Sequence, residues 1–392
     1  MIENRTYGDW TLGVHQGLGD KRIPIGATIE LTRRCNNRCI HCYNNLPAGD
    51  KAAVSKELTT REHCRILDQI SAAGCLWLLF TGGEIFLRKD FIDIYAYAKT
   101  KGLLITLFTN ATLITPAIAD YLVKYKPFSI EVTLYGARRD TYEKVTGVPG
   151  SFDRCMQGIH LLHERHLPVK LKTMAIAPNQ NDLWEIKRYV EQELGLPFKF
   201  DALVNPRCDS SLSPLQVRLS PAEVVALDLR DPARVTEWQE FCERFKKRGR
   251  AGNPSDYLYR CGGGGRSFAM DPYGKMRMCV LSSDQSYDMR QGTFLEGWEQ
   301  FLGKLRETKA TRSTKCSNCS ISSMCGTCPA NAGLECGDPE EPVDFLCQVA
   351  HLRAYAFGID LPVHGECEYC PGGDKYDTMM VIVDELNKLD SD

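Results

Sequence analysis

Long hydrophobic runs are missing from this chain. The longest, Cys75-Leu-Trp-Leu-Leu-Phe80, falls far short of the ~20 apolar residues that a membrane-spanning helix needs. The first residues lack the apolar stretch of a secretion signal. No excess of one charge exists either: 48 Lys and Arg oppose 50 Asp and Glu, for a net charge of −2. The basic footprint of a nucleic-acid binder is therefore absent. Internal repeats and low-complexity tracts are also absent, apart from the short glycine run Gly262–Gly265. These absences exclude a membrane protein and a nucleic-acid partner and make the cytoplasm the expected location. At 392 residues, 25% of them charged, the chain has material for two soluble domains with apolar cores.

What is abundant is cysteine, with 18 residues. Without a secretion signal they are expected to stay reduced, so metal or cluster ligation explains them better than disulfides. Thirteen fall into three groups, at 35–42, 261–347 and 367–370. The singletons Cys64, Cys75, Cys155, Cys208 and Cys242 read as small buried core residues. Cys35, Cys39 and Cys42 lie in Leu31-Thr-Arg-Arg-Cys-Asn-Asn-Arg-Cys-Ile-His-Cys-Tyr43. A structural metal site takes four protein ligands, so three tightly spaced thiolates can hold an iron–sulfur cluster with one iron open to an outside ligand.

Between about Ile25 and Asn205, short apolar strands alternate with amphipathic helices, the pattern of parallel βα units. Strands are expected at Ala27–Leu31, Leu76–Phe80, Leu103–Phe108, Ser129–Leu134, Val169–Ala175 and Phe198–Leu203. Thr59-Thr-Arg-Glu62 is a capping box, with Gly74 the stop of its helix, and Gly102 and Gly195 close two later helices. The fold class is α/β, a partial (β/α)6 TIM-like barrel followed by a small cysteine-rich iron–sulfur domain. Cys35–Cys42, Gly82-Gly83-Glu84, Thr109-Asn110 and Tyr135-Gly136 each follow a strand, which places them on the ligand-binding face of such a barrel. Ser220-Pro-Ala-Glu223 opens a helix expected to run to about Phe245, with a solvated basic end at Arg244–Arg250. Beyond Gly249 too few apolar segments remain for a large core, and metal stapling is expected to supply stability. The expected boundaries are an N-terminal extension at 1–24, the barrel at 25–215, a helical linker at 216–254, the cluster domain at 255–350, and a tail with a CxxC pair and a helix at 351–392.

The C-x3-C-x2-C spacing, with aromatic His41 before the third cysteine, resembles the signature of radical SAM enzymes. The resemblance implies that Cys35, Cys39 and Cys42 ligate a [4Fe–4S] cluster whose open iron is chelated by S-adenosylmethionine. A 5′-deoxyadenosyl radical would then abstract hydrogen from unactivated carbon. Gly82-Gly83-Glu84 resembles the family's GGE motif, which grips the methionyl amino group, although Ile85 stands where Pro often follows. By the same resemblance His41, Tyr43, Thr109, Asn110 and Thr133 are cofactor-side candidates, and Lys144 is a candidate cation for the methionyl carboxylate.

Downstream, Cys261-x12-Gly274-x4-Cys279, Cys316-x2-Cys319-x5-Cys325-x2-Cys328 and Cys347 resemble the seven-cysteine SPASM domain, which holds two auxiliary [4Fe–4S] clusters. With the barrel, the resemblance covers residues 25 to 350. It departs in the two-residue interval before Cys328, usually three, and in Ser267, where some members carry a further ligand. It implies one cluster on Cys316, Cys319, Cys325 and Cys347, and another on Cys261, Cys279 and Cys328. The latter's open iron is left to Cys336, Cys367, Cys370, water or substrate. Without the family, paired C-x2-C motifs read as a zinc ribbon, and Cys367-Glu-Tyr-Cys370 as a redox dithiol or a ligand pair.

The resemblance points to a maturase that oxidises or cross-links a residue of a ribosomal peptide or protein. Its partners would be an electron donor such as flavodoxin or ferredoxin and a separate leader-binding protein, since the roughly 24 residues before the barrel show no winged-helix pattern. The alternative is a dehydrogenase, either like a sulfatase maturase or acting on an alcohol or carbohydrate. Sulfatase maturases carry an Asp directly after the second cysteine; Val280 stands there, and Asp284 is the nearest candidate base. No other catalytic side chain is identified. A cluster-bearing scaffold or electron carrier is the non-enzymatic alternative, and it has no need of Gly82-Gly83-Glu84 on the barrel rim.

Overall fold

The computed structural model describes residues 6–248, 256–317, 319–322, 324–359, 361 and 367–388. Six parallel strands form the barrel wall: β1 (Gly26–Thr32), β2 (Trp77–Gly82), β3 (Leu104–Thr109), β4 (Ser129–Thr133), β5 (Val169–Met174) and β6 (Phe198–Asp201). They neighbour one another in chain order, as right-handed βα units require. Alternation along each strand decides what is covered. Ile29, Leu31, Leu78, Phe80, Ile105, Leu107, Ile130, Val132 and Leu171 are buried in one apolar core. Glu30, Thr81, Phe108, Glu131, Lys172 and Lys199 have the opposite parity and share the other face of the sheet.

The helix Thr60–Ala72 begins at the expected capping box of Thr59 and Glu62, and Gly74, Gly102 and Gly195 all have positive φ. The helix expected from Ser220 to about Phe245 is instead two helices, Pro221–Arg230 and Pro232–Arg248. Pro232 has no N–H to donate and its ring crowds the carbonyl four residues back, so it starts a new helix. The side chains of the basic run Arg244–Arg250 lie outside the described residues.

The cysteine-rich region leans on the barrel more than its composition suggests. Strand β7 (Ser267–Met270) pairs in parallel with β1, Gly26 opposite Ser267 and Ile29 opposite Met270. Strands β8 (Lys275–Arg277) and β9 (Tyr287–Asp288) follow antiparallel, completing a nine-stranded sheet. Phe268, Met270, Met276, Met278, Phe294 and Trp298 join the barrel's own core. Part of this region thus borrows the barrel's core through the shared edge of β1, a source of stability beyond the expected metal stapling. Among the described residues no helix is long and apolar enough to cross a membrane.

Candidate functional site

The segment after β1 carries Cys35, Cys39 and Cys42 and is pinned by backbone bonds. Arg38 N–H donates to Thr146 O at 2.8 Å and Ile40 N–H to Val145 O at 3.1 Å. Gly82 and Gly83 press against its start. Their neighbourhood explains the glycines: a Cβ on Gly82 would lie 2.1 Å from Thr32 O, and one on Gly83 2.1 Å from Arg34 O. Gly83 N–H donates to Thr32 O at 2.7 Å and Glu84 N–H to Arg34 O at 2.9 Å. The three thiols perturb one another electrostatically, and burial pushes Cys35 up to about 12 and Cys39 and Cys42 upward too. Three such thiols hold their protons at neutral pH unless a cation replaces them, which is what a bound metal does. Asn37 N–H lies 3.4 Å and Asn110 Nδ2 3.6 Å from Cys35 Sγ, donors suited to orienting a ligating sulfur. The donor set fits an iron–sulfur cluster.

Glu84 is fully buried, and burial raises its carboxyl pKa to about 7. Its Oε1 accepts from Thr109 Oγ1 at 2.8 Å and Phe86 N–H at 3.2 Å, and its Oε2 from Asn110 N–H at 2.8 Å. The carboxylate is thus engaged within the chain by Thr109 and Asn110, two other candidates. His41 packs edge-on against Tyr135 at 4.8 Å, with burial lowering its pKa to about 4. Thr133 ends β4 half-buried, and its carbonyl lies 3.9 Å from Cys155 Sγ. Lys144 is exposed on the helix Arg139–Thr146.

Sequence reasoning missed a buried polar network at the rim. Tyr43 Oη donates to Glu30 Oε1 at 2.9 Å and Asn44 Nδ2 donates to the same oxygen. Arg33 bridges Glu30 at 3.6 Å and Asp271 at 3.8 Å, and Arg277 pairs with Asp271 at 3.0 Å. Cys208 Sγ points at Val280 O, 3.5 Å away. Glu30 had a signal, a carboxylate inside an apolar strand; Asp271 had none, because β7 alone brings it to β1. Two singleton expectations are corrected as well. Cys75, Cys155 and Cys242 are buried, but Cys64 is half-buried on the helix Thr60–Ala72 and Cys208 sits at the rim. Cys208 is held there because its N–H donates to Tyr43 O at 2.9 Å.

The later cysteines form two groups. Cys261, Cys279 and Cys328 perturb one another, with Tyr259 beside them. Asp284 is exposed next to Tyr259, apart from the Glu30 network. Cys336 is exposed among Glu335, Asp338 and Glu341. Cys316, Cys319, Cys325 and Cys347 line a second cavity together with His351 and Cys367. The tail pair therefore stands at the second group, not the first.

Residues 29–191 match the radical SAM superfamily profile. These residues form a radical SAM domain. AdoMet-dependent heme synthase of Methanosarcina barkeri is 33% identical over 168 residues, 42% of this chain and 46% of that protein. PqqA peptide cyclase of Ruegeria pomeroyi is 32% identical over 160 residues, 41% of this chain and 42% of the cyclase. The chain thus spans less than half the length of these curated relatives. In fold it resembles Streptococcus suis SuiB bound to its precursor peptide SuiA, with a TM-score of 0.65 and 18% identity, covering 88% of this chain and 82% of SuiB. The anSMEcpe structure with bound AdoMet gives a TM-score of 0.59 at 13% identity, covering 93% of this chain and all of that one.

Proposed function

We propose that this chain is a peptide or protein maturase, acting on one residue of a ribosomally made substrate. The observation that carries the reading is the two further thiol groups after the barrel, Cys261, Cys279 and Cys328 beside the strands added to β1, and Cys316, Cys319, Cys325 and Cys347 around the helix Asp344–Ala356. The fold likeness to peptide-bound SuiB extends over 88% of the chain, whereas the match to heme synthase covers 42%. In this reading Cys35, Cys39 and Cys42 hold a [4Fe–4S] cluster and leave one iron for S-adenosylmethionine. Reduced, that cluster supplies a 5′-deoxyadenosyl radical. Cys316, Cys319, Cys325 and Cys347 hold one auxiliary cluster, and Cys261, Cys279 and Cys328 another. Glu30, Arg33 and Asp271 position polar groups of the substrate at the rim. The electron donor is a flavodoxin or ferredoxin, and a separate chain presents the leader.

A second reading draws on the heme synthase match and on Fe-coproporphyrin III synthase of Methanosarcina barkeri, 34% identical over 163 residues: a tetrapyrrole as substrate. A sulfatase-maturase-type dehydrogenation is disfavoured, since Val280 follows Cys279 and Asp284 is exposed. The test is anaerobic incubation with reductant and S-adenosylmethionine, then with a short peptide encoded beside the gene or with Fe-coproporphyrin III. Formation of 5′-deoxyadenosine with a mass change of the peptide supports the maturase. A mass change of the porphyrin supports the second reading, and no deoxyadenosine defeats both.

A further inference from the structure

The second thiol group holds more ligands than one cluster uses. Cys316, Cys319, Cys325 and Cys347 already supply four thiolates, yet His351, Cys367 and Cys370 converge on the same place. All three are buried, His351 completely. His351 stands one turn after Cys347 on the helix Asp344–Ala356. Its Nδ1 lies 2.8 Å from Cys347 O. A carbonyl only accepts, so Nδ1 carries the proton and Nε2 offers its lone pair. That lone pair meets two sulfurs, Cys367 Sγ at 3.4 Å and Cys370 Sγ at 3.7 Å. A tetrahedral zinc ion with Zn–N of about 2.1 Å and Zn–S of about 2.3 Å has an N···S edge of about 3.6 Å, between the two distances. Cys347 Sγ lies 3.7 Å from Nδ1 on the other edge of the ring, and one donor atom each of Cys347, His351 and Cys367 lie within 4.8 Å of one another.

We propose that His351, Cys367 and Cys370 bind one tetrahedral zinc ion, with Cys347 as the fourth donor, bridging to the adjacent iron–sulfur site. The Cys367-x2-Cys370 spacing forms the chelate, and the Nδ1–H bond to Cys347 O fixes the ring that completes it. Zinc is redox-inert, so the ion's role is to pin the tail against the thiol group. The surroundings agree. The two residues between the ligand pair are held as well: Lys315 pairs with Glu368 at 2.7 Å and Tyr369 Oη donates to Asp344 Oδ1 at 2.7 Å. Tyr369, Met379 and Val383 pack with Val349 and Leu352 in one apolar cluster. This inference does not depend on which substrate the barrel takes.

The test is metal analysis with zinc-edge X-ray absorption on the full chain, purified anaerobically from zinc-supplemented cells. About one zinc per chain is expected, with three sulfurs at about 2.3 Å and one nitrogen at about 2.0–2.1 Å. The Cys367→Ser/Cys370→Ser double variant should lose that zinc and keep its iron, and Cys370→His should keep zinc in a shell with two nitrogens. Wild-type zinc below about a tenth of an equivalent, or an oxygen-dominated shell, overturns the proposal. So does loss of about four irons from the double variant, which would place the tail pair on the cluster. If the double variant fails to fold, the wild-type spectrum and Cys370→His decide.

Discussion

The backbone N–H of Asn110 donates to Oε2 of Glu84 at 2.8 Å. The bond joins the end of β3 to the segment after β2, and the Asn110 side chain goes on to approach Cys35. Gly82, Gly83 and Glu84 therefore form a joint. The glycines admit the backbone of Thr32 and Arg34, and the carboxylate gathers the next strand end.

Glu84→Gln tests the joint. The amide keeps one acceptor but turns a donor toward an N–H or hydroxyl that needs an acceptor. Loss and mismatch of a buried bond should lower stability by about 1–3 kcal/mol in chemical denaturation. Unchanged stability with weakened S-adenosylmethionine binding would instead place the carboxylate on the cofactor.

Replacing Cys35, Cys39 and Cys42 with Ala should abolish 5′-deoxyadenosine formation. Iron should fall by about four from the roughly twelve expected for three [4Fe–4S] clusters. Cleavage that survives the triple variant would move the reactive cluster elsewhere.

His63 gives the chain an acid-sensitive point on the helix Thr60–Ala72. It is buried there, neither ring nitrogen has a hydrogen-bond partner among the described residues, and burial, with Arg88 nearby, lowers its pKa to about 3. The unfolded chain takes up this proton near pH 6.5 and the folded chain only near pH 3, so the unfolded state binds more protons between those values. Stability should fall as pH drops through that window, by at most about 1.4 kcal/mol per pH unit from this group. His63→Leu should flatten the acid side of a melting-temperature profile between pH 4 and 7. An unchanged profile would mean that the ring is protonated when folded.

Asp228 is the buried anchor between the helix Pro221–Arg230 and the helix that carries His351. It accepts from Arg353 Nε and Nη2 at 2.8 and 2.6 Å and from Arg234 Nε at 2.7 Å. Asp228→Ala leaves the buried Arg353 and the half-buried Arg234 without their carboxylate and should cost about 3–5 kcal/mol in urea denaturation. A cost below about 1 kcal/mol would show that the arginines find other acceptors or water.

The barrel was readable in the sequence because its information is local. Alternating apolar residues locate the six strands, Thr59 and Glu62 mark a helix start, and the cysteine spacing is a property of adjacent residues. The helix break at Pro232 was just as local, since the proline itself is the signal. The pairing of β7 with β1 joins residues more than two hundred positions apart through backbone hydrogen bonds that any side chains allow, and no spacing announces it.

The sequence by itself determined the βα order, the three-thiol loop and the glycine-rich joint, since each follows from residue type and short-range periodicity. Tertiary structure alone decided that Asp271 meets Arg33 at the rim and that Cys367 and Cys370 face His351 beside Cys347. Those neighbours are chosen by packing and charge pairing between distant segments, and thiols at 367 and 370 carry no mark in the sequence of which thiol group they will join.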